Sequence, residues 1–179
     1  MPVNCVVLAA GASKRLGRPK QLVPFQREPL VVRASRTGAG VGPTIVVIPA
    51  DAPAIREALS GLSVWIVENS EAREGMAFSI RRGLDETSGD VLITLCDQPL
   101  VTSDHLKALV AAGAPIAATG YNGISGVPAF FAAKFREELY SLRGDSGARR
   151  VIDAHRDEVV TIPFEPAGFD VDTDAAISL

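Results

Sequence analysis

The residues best suited to chemistry follow the first apolar segment of the chain. Residues 6–20 read VVLAAGASKRLGRPK, and four cationic side chains fall within its last seven positions: Lys14, Arg15, Arg18 and Lys20. Gly11 precedes them and allows a tight backbone approach, so main-chain N–H groups can face an anion while Arg15 and Lys20 add full charges. The formal net charge of the whole chain is −3. The positive charge is therefore local, and a triphosphate is the anion that it fits.

A second chemical group consists of carboxylates at the ends of apolar segments. Asp97 follows the apolar run VLITLC, and the stretch FDVDTDAAISL (169–179) supplies Asp172, with Asp170 close by. Mg²⁺ keeps several waters and needs only one or two protein carboxylates plus substrate phosphates. Positions 170 and 172 share one side of an extended strand, so their order in the sequence separates them weakly. For Asp97 the alternative is a turn or helix-capping role before Pro99.

Two familiar phosphate-binding motifs are absent from the basic segment. The dinucleotide fingerprint needs G-x-G-x-x-G, but after Gly11 no second glycine comes before Gly17. A Walker A loop needs Gly-Lys followed by Ser or Thr, whereas Lys20 is followed by Gln21. These absences argue against an NAD-type oxidoreductase and against a P-loop NTPase.

The elements that must position these residues alternate along the chain. Apolar runs indicate strands at 4–10, 44–50, 63–69, 90–96, 115–120, 126–132 and 158–164. The first four runs are nearly continuous, which is typical of strands covered on both faces. Met76, Ile80 and Leu84 recur at helical spacing, and Leu106, Leu109 and Val110 share a second helical face, with Thr102 or Ser103 as N-cap. We predict one α/β domain over residues 1–179, with a mainly parallel sheet and helices on both faces.

Composition narrows the class of protein. The 179 residues are 47% hydrophobic and 22% charged, the balance of a folded soluble domain. No apolar stretch reaches the ~18 residues of a membrane span, and the N-terminus lacks a signal-peptide pattern, so we expect a cytoplasmic protein with no membrane partner. Two cysteines (Cys5 and Cys96) and two histidines cannot supply a zinc cluster, and the absence of a basic surplus argues against a nucleic-acid partner.

The basic segment resembles the signature L-A-A-G-x-S-x-R-x-G-x-x-K of the nucleotidyltransferases that activate sugars and cofactors. Eight positions match it: Leu8, Ala9, Ala10, Gly11, Ser13, Arg15, Gly17 and Lys20. Further segments resemble the MocA-like cytidylyltransferases, the molybdenum-cofactor branch of the MobA-like superfamily. They are C-D-Q-P at 96–99, G-M-x-x-S at 75–79, G-x-P-x-x-F at 126–131, G-D-x-G-A-R at 144–149 and D-x-D-T at 170–173. The usual N-P-x-W-like sequence before Gly75 keeps only Asn69, and the usual tail D-T-P-E-D-L reads DTDAAISL.

The resemblance implies a Rossmann-like nucleotidyltransferase fold and a division of roles. Arg15, Lys20 and Asp97 are the expected catalytic residues, and Asp97 and Asp172 the expected Mg²⁺ ligands. Nucleotide binding is expected at Leu8, Ala9, Ala10, Gly11, Ser13, Lys20 and Ser79. Contacts with the second substrate are expected at Gln98, Asp145 and Arg149.

The activity that the resemblance implies is transfer of CMP from CTP to the terminal phosphate of molybdenum cofactor, with release of pyrophosphate. A transient contact with a molybdenum hydroxylase would accompany it. The alternatives are a sugar-1-phosphate nucleotidyltransferase and a non-catalytic protein that delivers the cofactor. An NAD-type oxidoreductase ranks below both.

Three residues or segments have structural explanations that compete with a site role. In RGDSGARR (143–150), Asp145 or Ser146 could cap the helix that follows, in addition to bordering the acceptor site. Cys96 adjoins Asp97, but the apolar run before it predicts a side chain packed inward. Trp65 lies in an apolar strand, and we predict a core position for it.

Overall fold

A computed structural model describes residues 3–11 and 18–171. The strands within them are β1 (Asn4–Leu8), β2 (Pro24–Phe25), β3 (Glu28–Pro29), β4 (Thr44–Pro49), β5 (Trp65–Asn69), β6 (Val91–Leu95), β7 (Ile116–Tyr121), β8 (Ile124–Phe131) and β9 (Val159–Pro163). The α-helices are α1 (Leu30–Ala39), α2 (Pro53–Leu59), α3 (Met76–Asp85), α4 (Ser103–Ala111), α5 (Arg136–Ser141) and α6 (Arg149–Ala154). No helix in this part of the chain is long and apolar enough to cross a bilayer.

The described chain forms one seven-stranded sheet with the order β5-β4-β1-β6-β8-β7-β9, and β2 and β3 form a separate hairpin. β1 pairs in parallel with both β4 and β6, and β8 runs antiparallel to its two neighbours. This confirms the predicted mainly parallel sheet. Because Leu8 lies opposite Leu95 in the β1–β6 register, the loops that follow these two strands emerge side by side at the carboxyl edge of the sheet.

Helices cover both faces of the sheet, as predicted. On one face, α3, α5 and α6 pack against the alternate side chains of the strands, among them Val6, Ile93 and Phe131. On the other face, α1, α2 and α4 bury Val7, Val46 and Leu92. The central strands are apolar at nearly every position because their side chains pack against helices on both faces of the sheet.

The structure confirms two predictions about single residues, the N-cap of α4 and the burial of Cys96. Thr102 is the N-cap of α4, and its hydroxyl accepts a hydrogen bond from the backbone N–H of His105 at 3.2 Å. Cys96 is buried, as the apolar run before it indicates.

Two others are wrong. The residue before α6 is Ala148, and no side chain caps that helix, so neither Asp145 nor Ser146 acts as its N-cap. Trp65 is 65% exposed instead of buried, because β5 is an edge strand that pairs only with β4.

A third, smaller cluster of buried apolar residues lies at the β2–β3 hairpin. Val23, Phe25 and Leu30 pack there with Val171, all of them buried. The backbone N–H of Val171 also donates a hydrogen bond to the carbonyl of Asp97 at 3.0 Å. Residues 169–171 therefore lie against the loop that follows β6.

Candidate active site

An ion pair joins the two loops at the carboxyl edge of the sheet. Lys20 Nζ lies 2.5 Å from Asp97 Oδ2, and both side chains are largely enclosed, at 15% and 16% exposure. Lys20 begins a short 3-10 helix (Lys20–Leu22) that follows the loop after β1, and Asp97 follows β6. The parallel β1–β6 pairing brings together two residues that are 77 positions apart in the sequence.

Gln21 holds the loop after β1 in place. Its side chain is buried, and its Nε2 donates hydrogen bonds to the carbonyls of Ala9 at 2.8 Å and Gly11 at 2.9 Å. The N–H of Ala9 donates to the carbonyl of Val47 at 2.8 Å. Ala9 therefore uses both of its main-chain polar groups within the fold, while Ala10 makes no hydrogen bond to the residues that the structure describes.

A cavity of about 300 Å³, here called the inner cavity, opens beside the ion pair. It brings together seven of the residues expected in the site: Leu8, Ala10, Gly11, Lys20, Ser79, Asp97 and Asp145. Residues 75–79 and 143–149 meet at its rim, because the N–H of Ala77 donates to the carbonyl of Gly144 at 3.1 Å. Segments that the sequence analysis singled out in four parts of the chain thus line one concave site.

Ser79 has a fixed orientation in this cavity. Asn69 Nδ2 donates to Ser79 Oγ at 3.0 Å, and both side chains are buried. The hydroxyl accepts this bond through one of its two lone pairs, so its proton is not used by Asn69 and can be donated to a ligand acceptor. Asn69, the remnant of the N-P-x-W-like sequence, therefore positions Ser79.

Three expected site residues do not line the inner cavity, although Gln98 and Arg149 both interact with Tyr121. Ala9 is buried and is not among the described residues that line the inner cavity. Gln98 is 4% exposed and donates through Nε2 to the carbonyls of Val127 at 3.2 Å and Ala167 at 2.9 Å. Arg149 borders a separate polar cavity and pairs with Asp153 at 3.5 Å. The expected residues Ser13, Arg15 and Asp172 lie outside the described residues.

Asp170 and Tyr121 lie near Asp97 on the side of β7. Burial raises the pKa of Tyr121, and the negative charge of Asp170 raises it further. The phenol therefore stays protonated at neutral pH and can donate a hydrogen bond. Gly126 leaves room for this side chain, since a Cβ at that position would lie 2.8 Å from Tyr121 Oη.

Asp97 also has the features of a metal ligand. Its Oδ1 is buried and accepts no hydrogen bond from the described residues, although a buried carboxylate oxygen normally has a partner. A hard divalent cation is one such partner, and Mg²⁺ is satisfied by one or two carboxylates together with water and phosphate oxygens. The described residues contain no cluster of three or more histidine, cysteine or acidic ligands, so they do not form a complete protein cage. Asp97 fits a metal that shares its coordination with a substrate.

Cys96 lines the inner cavity but does not fit the role of a nucleophile. Burial raises the pKa of its thiol above the usual range, and the negative charge of Asp97 raises it further. A thiol in this state lacks the thiolate that attacks electrophiles. The arrangement of a cation, a carboxylate and a backbone loop favours direct transfer between two substrates over a covalent enzyme intermediate.

Comparison with known proteins agrees with this geometry. The MobA-like NTP transferase domain matches residues 5–159, which contain Lys20, Asp97 and all of β1 except its first residue. The chain belongs to this family. A molybdenum cofactor guanylyltransferase, described as probable, from Synechococcus elongatus is 28% identical to this MobA-like domain over 110 residues, covering 60% of the chain and 57% of that protein.

Two other proteins match nearly the whole MobA-like domain. Nicotine blue oxidoreductase from Paenarthrobacter nicotinovorans is 31% identical over 188 residues, covering 96% of the chain and 92% of that protein. Rv0371c from Mycobacterium tuberculosis has a crystal structure with a TM-score of 0.80 and 30% identity, covering 98% of the chain and 96% of that structure. A second structure of Rv0371c, in complex with manganese, has a TM-score of 0.78 and 28% identity, covering 100% and 99%.

Sequence reasoning missed three residues of this site. Gln21 directly follows Lys20, but its role as anchor of the loop rests on contacts with Ala9 and Gly11 that the local sequence does not indicate. Tyr121 ends a strand of the predicted sheet, where ligands gather in α/β folds. Arg73 lines the inner cavity two residues before Gly75, and no motif identified in the sequence contains it.

Proposed function

We propose that the protein transfers a cytidylyl group from CTP to the terminal phosphate of molybdenum cofactor and releases pyrophosphate. One observation carries the proposal: Lys20 and Asp97 form an enclosed ion pair in a cavity beside Ala10 and Gly11. Membership of the MobA-like family and the match to a molybdenum cofactor guanylyltransferase support it. The proposal takes residues 1–179 as one catalytic domain of a cytoplasmic enzyme, with transient contact to a molybdenum hydroxylase.

In this reaction an oxygen of the acceptor phosphate attacks the α-phosphorus of CTP. The bond between the α-phosphorus and the bridging oxygen of the β-phosphate breaks, and pyrophosphate leaves with that electron pair. The protein supplies position and charge and no covalent intermediate. Lys20 and Arg15 offset the negative charge on the triphosphate and the leaving group.

The metal-binding role falls to Asp97, with Asp172 as the second proposed carboxylate and Asp170 as its rival. Bound Mg²⁺ supplies Lewis-acid stabilisation of the phosphate oxygens. Tyr121 contributes a protonated phenol on the side of Asp170, where it can donate to an acceptor phosphate oxygen. Substitution of Asp170 and Asp172 by Asn, one at a time, distinguishes the two, because loss of a ligand weakens metal binding more than loss of a neighbour.

The base of CTP is proposed to bind at Ala10 and Ser79. Ala10 has main-chain groups that are not used by the described fold, whereas those of Ala9 are engaged by Gln21 and Val47. The Ser79 hydroxyl can donate to an acceptor on the base, since Asn69 donates to it. Gln98 is proposed to act on the acceptor side through the backbone of Val127 and Ala167, which its amide holds.

An oxidoreductase is a second candidate, because a relative that bears this name matches almost the whole chain. It would require a dinucleotide site, and the basic segment lacks the glycine fingerprint of the common one. The other two candidates are a sugar-1-phosphate nucleotidyltransferase and a non-catalytic cofactor carrier. The first would use the same cavity for a different acceptor, and the second would bind the cofactor there without reaction. The reaction products separate all four.

The test is pyrophosphate release with each of the four ribonucleoside triphosphates and Mg²⁺ or Mn²⁺, with and without molybdenum cofactor. We expect release with CTP that depends on the cofactor and is lost in Asp97→Asn. Pyrophosphate release that depends on a sugar 1-phosphate would show that the acceptor is the sugar phosphate and not molybdenum cofactor. Oxidation of NADH or NADPH by a dye without any pyrophosphate release would favour the oxidoreductase. Cofactor binding with neither reaction would indicate a carrier.

A further inference from the structure

A second cavity of about 640 Å³, here called the outer cavity, adjoins the inner one. The two cavities share four lining residues, Ala10, Gly11, Ala72 and Arg73. Arg73 is the shared residue with a charged side chain. Among the described residues, it therefore marks the junction of the two cavities.

Arg73 differs from several other arginines of the described chain in having no protein partner there. Arg56 pairs with Glu68 at 2.7 Å, and Arg82 pairs with Glu86 at 3.1 Å. Arg73 is exposed and forms no hydrogen bond or ion pair with a described residue, although Glu71 and Glu74 flank it in the sequence. Its five N–H donors are available to an anion.

The turn that carries Arg73 is fixed at its beginning by Asn69. Arg73 is the middle residue of a short 3-10 helix (Ala72–Glu74). The N–H of Glu71 donates to Asn69 Oδ1 at 3.0 Å, and the same Asn69 amide bonds Ser79 in the inner cavity. The start of the turn is thereby linked to the wall of the cavity.

The end of the turn is fixed by close backbone packing. Gly75 has a φ of 118°, and a Cβ there would lie 2.2 Å from the carbonyl oxygen of Gly144. This approach and the positive φ both require glycine. Arg73 thus stands on a rigid segment, so little backbone entropy is lost when its guanidinium binds a ligand.

We propose that Arg73 is a phosphate-binding residue that holds the nucleotide triphosphate, and the pyrophosphate formed from it, at the junction of the two cavities. This deepens the proposed function and rests on it for the nucleotide. A guanidinium matches phosphate oxygens with two parallel N–H···O bonds, which the point charge of an ammonium does not. Lys20 is engaged with Asp97, so Arg73 provides a second, geometrically different contact for the phosphates.

The rival explanation is an ion pair within the protein. Asp145 lines the inner cavity together with Arg73 and is not in ion-pair contact with it among the described residues. If Arg73 served to hold Asp145 when the site closes, its removal would affect stability and would mimic Asp145→Asn. The experiment must separate this role from phosphate binding.

The experiment is calorimetric titration of inorganic pyrophosphate and of CTP into the wild-type protein, Arg73→Ala, Arg73→Lys and Arg150→Ala. Arg150 is an exposed arginine of α6 that lines neither cavity, so it controls for loss of one positive charge. We expect pyrophosphate to bind about 10- to 100-fold more weakly to Arg73→Ala, the range of a lost hydrogen-bonded charge. Arg73→Lys should recover part of the affinity and Arg150→Ala should match the wild type.

Equal pyrophosphate affinity in Arg73→Ala and the wild type would overturn the proposal. So would a lowered melting temperature shared by Arg73→Ala and Asp145→Asn with unchanged pyrophosphate affinity, which would identify the internal ion pair. Failure of the wild type to bind pyrophosphate or CTP would also overturn it. An Arg73-dependent pyrophosphate affinity in a protein that turns over no nucleoside triphosphate would uphold this inference and refute the proposed function alone.

Discussion

Lys20 Nζ and Asp97 Oδ2 lie 2.5 Å apart in a site where both groups are expected to act on other molecules. The lysine neutralises the carboxylate on one oxygen, and Oδ1 remains buried without a hydrogen bond from the described chain. In the ligand-free site each group is therefore the counter-charge of the other. Under the proposed function, a bound metal would be held by Asp97 and the phosphates would be held by Lys20, so ligand binding would separate this pair.

Asp97→Asn should leave the fold intact and remove most of the activity. The amide keeps the size of the side chain but loses the charge that holds a divalent cation, and we expect a loss on the order of a hundredfold or more. Turnover and unfolding should be measured on the same preparation. An active variant that still requires Mg²⁺ would show that the metal is held elsewhere.

Lys20→Met should have opposite effects on metal binding and on turnover. Removal of the ammonium leaves the carboxylate of Asp97 without its partner, so Mn²⁺ should bind more tightly in the absence of nucleotide. Turnover should fall, because the phosphates lose their cation. Electron paramagnetic resonance of Mn²⁺ measures the first effect. Lys14→Met, at a variable position of the same basic segment, is the control, and equal effects in both variants would indicate a diffuse basic patch.

Ala10→Gly should narrow the preference for CTP over GTP. The methyl group of Ala10 restricts φ and fills space at the wall of the inner cavity, where glycine would leave both open. One methyl-sized contact is worth roughly 1–3 kcal/mol, or about 10- to 200-fold in discrimination. Turnover with both nucleotides at matched Mg²⁺ and cofactor measures this. Equal or better use of GTP by the wild type would exclude cytidylyl transfer.

Gly75→Ala should destabilise the protein and weaken nucleotide binding together. The new Cβ would meet the carbonyl of Gly144, and the positive φ is strained for alanine, which we expect to cost roughly 1–3 kcal/mol. Gly61→Ala is the matched control, because no atom lies within 4 Å of its added Cβ. Denaturant unfolding of both variants is the measurement. A neutral Gly75→Ala would mean that residues 75 and 144 separate readily in solution.

The stability of the protein should decrease below about pH 6.5 because of His105. Burial lowers the pKa of this histidine from its ordinary 6.5. The Thr119 hydroxyl donates to the carbonyl of Pro128, so its oxygen accepts from His105 Nε2–H, a bond that the neutral ring can make. The unfolded chain takes up the proton first as the pH falls. The stability contribution is therefore complete above 6.5 and is lost as the pH falls toward the lowered value.

His105→Gln should remove this part of the pH dependence. Free energies of unfolding at about pH 7.5 and about pH 5.5 should differ less in the variant than in the wild type, since glutamine does not titrate. The same slope in both proteins would assign the pH effect to other groups.

The sequence predicts which segments form strands and helices better than it predicts which strand lies at the edge of the sheet. Continuous apolar runs identify β1, β4, β5 and β6, and their pattern correctly predicts parallel strands under two helix layers. The run that contains Trp65 reads like the others, yet its strand ends the sheet and leaves the indole exposed. Strand order depends on long-range pairing that no local pattern reports, so the error at Trp65 could not have been avoided by periodicity.

In the candidate site, too, the sequence identifies residues by their local spacing but does not reveal roles that depend on contacts across the fold. The spacing of Gly11 and Lys20 and the position of Asp97 after an apolar run identify the residues that meet at the sheet edge. The roles of Gln21 and Arg73 depend on distances across the fold, which spacing does not contain. For Gln98, the motif predicts contact with substrate, whereas in the structure its amide donates hydrogen bonds to two backbone carbonyls.

The burial of Val171 has a consequence for the order of events during synthesis. Val171 completes the cluster with Val23, Phe25 and Leu30, and its N–H bonds the backbone of Asp97. The hairpin that follows Lys20 therefore keeps part of its apolar surface in water until residue 171 has been synthesised and has packed against it. The backbone of Asp97 likewise lacks its hydrogen bond from Val171 until then, so one side of the candidate site depends on a segment 74 positions further along the chain.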